Sequence, residues 1–367
     1  YLAVAIKANR LKFDPSPETR DVWCDASGRA LKEGELLRQA ALGETLEHFS
    51  REGHDGFYRG DIAQAIVNHS DAHGGVMKRD DFDRYSCVWR DVLRGTYRGR
   101  EIVVTAPPTA GVHVLQALNI IEGYRIGELP YHGIDALHLT IEALKLALSE
   151  RRLVGGDPDF TRMDTARLTD KQYANELRSR VDAVRATPRG MADLSSNATT
   201  HFAVVDASGN MVSATQTIGS RFGCADTVAG TGLLMNDRTW WMSLAPGPNQ
   251  VAPLHRANIG HAATMLCTDG RPSVALGSPG GFGIVQYMVQ VVSHMVDYGL
   301  DIQQAIEAAR FKIEHLRGRV GFERRFDALT IEALRGRGHE VFEFPEWSDR
   351  AGGVEGVAVD PRSGVML

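Results

Sequence analysis

Four cysteines, Cys24, Cys87, Cys224 and Cys267, are all that 367 residues carry, and they stand far apart. With no Cys-x-x-Cys pair and no histidine at zinc spacing, neither a zinc module nor a redox motif is indicated. The expectation is free, mostly buried thiols, although sequence alone does not give disulfide connectivity. No metal and no cofactor is expected. No run reaches the roughly 18 apolar residues of a membrane helix, so no membrane span is expected. Positive charge is not in excess: 41 Lys+Arg against 46 Asp+Glu give a net charge of −5. That argues against nucleic acid as a partner. The short clusters Arg317-Gly318-Arg319 and Arg335-Gly336-Arg337 read as solvated surface. An initial methionine and a charged, then apolar, leader are also missing. Tyr1 is therefore not expected to be the biological start, and any targeting signal would lie upstream. That leaves periplasmic, secreted and cytoplasmic locations all open.

What is present is ordinary for a globular chain: 43% hydrophobic and 24% charged residues. Length allows one large domain or two ordinary ones. Apolar residues at helical spacing predict a helix within Leu36–Phe49, a loop over Gly53–Gly60, and a helix capped by Asp61 that runs through Val67. Ile102–Val104 is a short strand stopped by Pro107-Pro108. Val112–Tyr124 and Ile134–Arg151 are helices. From Arg185 to Ser196 the residues become small and polar, as in an exposed linker. Thr200–Asp206 and Met211–Ile218 then read as two strands around a Ser208-Gly209-Asn210 turn. Gly230–Met235 is an apolar run. Ala263–Leu266 and Ser273–Leu276 form a strand pair. Helices are expected over Ile284–Tyr298, Ile302–Arg310 and Phe326–Arg337, with a last strand at Val354–Val359. A β-rich centre flanked by helices suits an α+β sandwich better than βαβ alternation.

The linker that runs into Thr199-Thr200-His201-Phe202 carries a chemical suggestion. A cut before Thr199 would leave a hydroxyl nucleophile and a free α-amine on one residue. An α-amine titrates near 7.7–8, far below lysine, so it can serve as general base around neutral pH. Covalent geometry holds nucleophile and base together. A Ser/Thr or Asx turn explains Asn197-Ala198-Thr199-Thr200 equally well from local sequence.

The second suggestive stretch is Gly277-Ser278-Pro279-Gly280-Gly281, between an apolar strand and a helix. Consecutive glycines let backbone N–H groups approach a substrate and converge, as in an oxyanion hole. A phosphate loop would need Gly-Lys-Ser/Thr, whereas Phe282-Gly283 follows here. A plain strand-to-helix turn is the bland alternative. His69 and His73 could share a helix face, but Gly74-Gly75 would end that helix. His132 and His138 read as helix-start and surface residues, and Asp157 and Asp159 as turn residues around Pro158.

Thr199–Asp206 with Gly209-Asn210 resembles the start of the small subunit of γ-glutamyltranspeptidases. The Gly277–Gly281 loop resembles that family's oxyanion loop. Phe57-Tyr58-Arg59-Gly60, Pro107-Pro108-Thr109-Ala110-Gly111, Gly156–Phe160, Asp297-Tyr298-Gly299-Leu300 and Ala305–Phe311 follow in the family's order. The resemblance implies a four-layer αββα sandwich of the N-terminal-nucleophile (Ntn) hydrolases. It implies cleavage between Ala198 and Thr199, with 1–198 the C-terminal part of a large subunit and 199–367 a small subunit. Thr199 would act first on its own preceding carbonyl and then on substrate. Thr217 would be the supporting hydroxyl, and Gly280 and Gly281 the oxyanion donors. The implied partners are a small amide substrate, water or an amine acceptor, and a second processed precursor in a heterotetramer.

Departures from the family fall in its glutamate-recognition set. Gly219 stands where the family has asparagine. Arg238 and Trp241 stand where acidic or amide side chains grip the α-ammonium. Ile259 and Gly260 stand where two serines hold the α-carboxylate. An arginine in place of a carboxylate reverses the sign of such a pocket. Three readings follow. The first is an Ntn amidohydrolase or acyltransferase for another acyl group, with Arg221, Arg238, Trp240 and Trp241 shaping its pocket; ordinary packing of those four is the alternative. The second is a γ-glutamyl hydrolase or transferase. The third is a non-catalytic binding protein.

Overall fold

The computed structural model describes residues 1–151, 155–188, 199–314, 318–360 and 362–367. The expected linker falls largely outside them, and Ala198 falls wholly outside. Two compact units result.

The smaller unit comprises residues 1–89 and 218–238. Its helices are α1 (Leu2–Asn9), α2 (Pro17–Trp23), α3 (Ala40–Tyr58), α4 (Asp61–Ala72) and α5 (Arg79–Asp83). Two expectations need correction here. Helix α3 starts four residues later than the apolar spacing suggested and continues to Tyr58, through most of the expected Gly53–Gly60 loop. It breaks direction at Gly53 (φ 61°, ψ −145°), a backbone that glycine adopts without Cβ strain. Gly60, not Asp61, occupies the cap position of α4, and Asp61 lies in the first turn. Phe13 and Trp23 each meet Phe222 edge-on at 5.0 Å and anchor one small core. The Gly230–Met235 run forms no strand beyond an isolated bridge between Thr227 and Leu234.

The larger unit comprises residues 90–217 and 239–367. Its strands are β1 (Leu93–Tyr97), β2 (Arg100–Val104), β3 (Thr199–Val205), β4 (Met211–Thr217), β5 (Thr264–Thr268), β6 (Arg271–Gly277), β7 (Phe311–Ile313), β8 (Val320–Glu323), β9 (Val341–Phe344) and β10 (Glu355–Ala358). Its helices are α6 (Gly111–Glu122), α7 (Ile134–Ser149), α8 (Thr165–Leu168), α9 (Lys171–Arg178), α10 (Gly283–Asp297), α11 (Ile302–Glu307) and α12 (Ala328–Gly336). A five-stranded antiparallel sheet, β1-β2-β5-β6-β10, joins residues from both sides of position 199. Helices α6, α7 and α10 are apolar around most of their circumference, as fully buried helices must be. They share one core with Ile102, Val104, Leu266 and Leu276 of the sheet. That core draws on residues before 199, such as Leu118 and Leu144, and after it, such as Val289 and Phe322.

The β3–β4 hairpin packs on β6 and β10. Its turn is tied by the Asp206 carboxylate, which accepts from the N–H groups of Ser208 and Asn210, with Gly209 at φ 80°. A small sheet, β7-β8-β9, was invisible to periodicity because its strands are three or four residues long. His138, expected at the surface, is buried: one ring nitrogen bonds His339 and the other the carbonyl of Asp182. All four cysteines are free, but only Cys24 and Cys267 are buried.

Candidate active site

Strand alternation decides what the β3–β4 hairpin presents. Thr199 and His201 point inward, whereas Thr200 and Phe202 point outward and are exposed. Antiparallel register pairs Thr199 with Thr217, so eighteen residues of sequence separation close to a direct contact. The Thr199 hydroxyl donates to the Thr217 hydroxyl at 3.3 Å, and Thr199 is only 8% exposed.

Directly behind Thr199 on the same face stands His201, whose importance sequence reading missed. Its Nδ1 is 2.8 Å from the Thr215 hydroxyl, and Ser213 approaches its Nε2 at 3.5 Å. Burial lowers its pKa to about 4, so the ring is neutral near pH 7. The imidazole lies flat against Gly277: a Cβ there would meet its Cε1 at 2.0 Å. Ser213 also donates to the carbonyl of Leu276 at 2.9 Å. These two contacts fix the direction of β6 along the hairpin. Leu276 faces Ser213 and Gly277 faces His201, and Ser278–Gly281 follow directly in the chain. The signal was available, since His201 sits two residues from Thr199 on the same strand face.

The loop after β6 takes a backbone that only its glycines allow easily. Gly280 and Gly281 have φ of 124° and 59°, a region closed to most side chains. Their carbonyls turn away and accept from Gly283 and Ile284 at the start of α10. Among the described residues, neither N–H of the pair donates a hydrogen bond. Gly260 is packed against this loop: a Cβ there would lie 2.5 Å from the Gly281 carbonyl oxygen. Neighbouring Ile259 is held by its N–H on the carbonyl of Pro108.

The remaining predicted residues are divided between the two units. Arg221, Gly219 and Arg238 belong to the smaller unit, and Trp240 and Trp241 to the larger. The Arg221 guanidinium donates to the Tyr1 hydroxyl at 2.6 Å and lies over its ring. Gly219 has φ 99°, and a Cβ there would fall 1.8 Å from an Asp237 carboxylate oxygen. Arg238 is half-buried, and desolvation lowers its pKa against a raising influence from Tyr85. Trp240 is 66% exposed and Trp241 5%. His69 bonds Asp226 at 2.8 Å, and its ring lies 4.2 Å from that of His73. No group of three metal-binding side chains occurs among the described residues. Asp157 and Asp159 shape a turn, as expected: the Asp157 carboxylate accepts the Asp159 N–H at 3.1 Å.

The structure thus opens a strand with Thr199, sets Thr217 against it, and follows β6 with a glycine loop. The family model described as gamma-glutamyltranspeptidase matches residues 1–366. The chain belongs to the γ-glutamyltranspeptidase family. Within that family it is similar to the acylase ACY 1 proenzyme of Pseudomonas sp. (strain SE83), at 36% identity over 338 residues, 91% of this chain and 60% of that one. It is also similar to the glutathione hydrolase proenzyme of Escherichia coli (strain K12), at 32% over 358 residues, 93% of this chain and 62% of that one. The chain thus spans about three fifths of these curated relatives. Cephalosporin acylase from Bacillus halodurans superposes with a TM-score of 0.90 at 28% identity, over 100% of this chain and 68% of that one. The fold is therefore the α+β fold of the γ-glutamyltranspeptidase and acylase group.

Proposed function

We propose that this chain forms the catalytic part of a self-processing amidohydrolase or acyltransferase. Thr199 is its nucleophile, and its acyl group differs from γ-glutamyl. Cleavage between Ala198 and Thr199 divides the chain into residues 1–198 and 199–367. The observation that carries the reading is the contact between Thr199 and Thr217 at the end of the hairpin from which the glycine loop is reached.

In this reading the free α-amine of Thr199 takes the proton from its own Oγ1. The oxygen attacks the amide carbon, and the carbonyl becomes an oxyanion facing the N–H groups of Gly280 and Gly281. One such donor is worth roughly 2.7–4 kcal/mol in the transition state. The C–N bond breaks as the α-ammonium returns the proton to the departing amine. Water, or an acceptor amine, then attacks the Thr199 ester by the reverse proton path. His201 is not the base: its Nδ1 lies on Thr215, and its pKa is too low to hold a proton near pH 7.

Acyl specificity follows from the departures. Backbone atoms leave Gly260 no room for the family's serine, and an asparagine at Gly219 would be strained at φ 99° and would have to displace the end of the Asp237 side chain. Arg238 would repel an α-ammonium. A γ-glutamyl group stripped of its ammonium is glutaryl, and that is the acyl class we assign. The acylase relative is consistent with this reading. The glutathione hydrolase relative favours γ-glutamyl amides as the second reading. Two processed precursors would pair as a heterotetramer, which sedimentation mass tests.

The deciding experiment sequences the smaller fragment and assays γ-glutamyl-, glutaryl- and phenylacetyl-4-nitroanilide. A fragment beginning at Thr199, with glutaryl preferred, is expected. A chain that stays single while active, or a Thr199→Ala variant that retains turnover, defeats the proposal. A preference for γ-glutamyl defeats only the specificity assignment.

A further inference from the structure

Gly280 and Gly281 have no side chains to fix the direction of their N–H groups, and glycine is the residue with the most freedom to turn. Something else must hold the loop. One turn into α10, at the spacing that brings a side chain back over the helix start, stands Tyr287, fully buried. Three glycines close around its ring. A Cβ on Gly280 would meet Cε2 at 2.8 Å, one on Gly283 the hydroxyl at 2.4 Å, and one on Gly352 Cε2 at 2.4 Å. The phenol hydroxyl donates to the carbonyl of Arg350 at 2.8 Å. The ring is thus a plate wedged beneath the glycine loop, with its rim fastened to the segment before β10.

We propose that Tyr287 is a positioning residue for the oxyanion loop: its ring replaces the missing side chains and sets the aim of the Gly280 and Gly281 N–H groups. This rests on the reading of those glycines as oxyanion donors. The ring touches backbone rather than substrate, so it acts on the transition state and leaves ground-state binding alone. Planarity and reach are the properties that matter, because the Cδ2–Cε2–Cζ–hydroxyl edge of one rigid ring meets Gly280, Gly283 and Gly352 together, which a branched aliphatic chain cannot do.

The test compares Tyr287→Phe, Tyr287→Leu and Tyr287→Met on the processed enzyme, using whichever of the three 4-nitroanilides the parent cleaves fastest. Phenylboronic acid serves as an oxyanion mimic, since its tetrahedral adduct on a threonine hydroxyl carries a charged oxygen. Phe is expected to keep kcat within about threefold. Leu and Met are expected to lose about ten- to a hundredfold in kcat, part of the 10²–10³ that one oxyanion donor provides, with KM within about twofold. The inhibition constant for the boronic acid should weaken in parallel. Met, which fills similar volume without a plane, keeps the test alive if Leu does not fold. The proposal is overturned if Leu or Met retains kcat, if KM carries the loss, if boronic acid binding is unmoved, or if Phe loses as much as Leu. Failure of the active-site reading is separate: there the parent itself loses no turnover on Thr199→Ala.

Discussion

Replacing Gly260 by serine would return a hydroxyl that the family uses for γ-glutamyl carboxylates, and on this backbone it should do damage. The new Cβ would lie 2.5 Å from the oxygen of Gly281, 2.6 Å from its carbon and 2.9 Å from the nitrogen of Phe282. All three are backbone atoms, and ordinary contact begins near 3.4 Å. The loop must therefore retreat by about 0.9 Å, at an overpacking cost of roughly 1–3 kcal/mol. Because Gly281 is a proposed oxyanion donor, that displacement should cost about 10²-fold in kcat for every acyl group. The assay is 4-nitroaniline release from the γ-glutamyl and glutaryl substrates, with thermal denaturation to measure the strain. A variant whose γ-glutamyl turnover rises while kcat is preserved would refute the argument, because it would show that the loop accommodates a side chain at 260.

Thr217→Val should lower kcat roughly two- to twelvefold, the worth of one neutral hydrogen bond of about 0.5–1.5 kcal/mol; Thr217→Ser should retain it, and steady-state kinetics decide. Arg238→Glu should cut glutaryl turnover at least about tenfold and shift preference toward γ-glutamyl; an unchanged ratio of kcat/KM values removes Arg238 from specificity. The fold should weaken on acidification. His113 and His294 have pKa values lowered to about 4 by burial, below the usual 6.5. Between those values the unfolded chain takes up protons that the folded chain refuses. Each ring then costs up to about 1.4 kcal/mol per pH unit, fully lost once pH has fallen through about 4. Melting temperature should therefore fall steadily from pH 6.5 to 4.5; a flat profile would contradict the burial argument.

The hairpin was legible because strand propensity and turn chemistry are local: Thr199, Thr200, Val204 and Val205 in one strand and Val212, Thr215 and Thr217 in the other are β-branched, with Asp-x-x-Gly-Asn between them. The Gly277–Gly281 loop was legible for the same reason. What failed was what depends on distant partners. Nothing near Gly53 in sequence shows that helix resumes after it. Nothing near Arg221 shows that Tyr1 receives it, 220 residues away. His201 stands out in no local pattern, because what it does is touch Gly277 on another strand. The short strands β7, β8 and β9 have too few residues to express a period. The crowding around Gly219 and Gly260 was likewise unreadable: a glycine in sequence looks like a deletion of recognition, whereas in the fold it marks positions already occupied by Asp237 and Gly281.

The single apolar interior built from stretches on both sides of position 199 sets an order of events. Neither stretch can bury its faces without the other, so under the proposed cleavage the interior must close before the backbone opens. On that proposal the chain is its own inspector: one that fails to assemble never brings Thr199 to Thr217, and so never acquires the amine that would arm it.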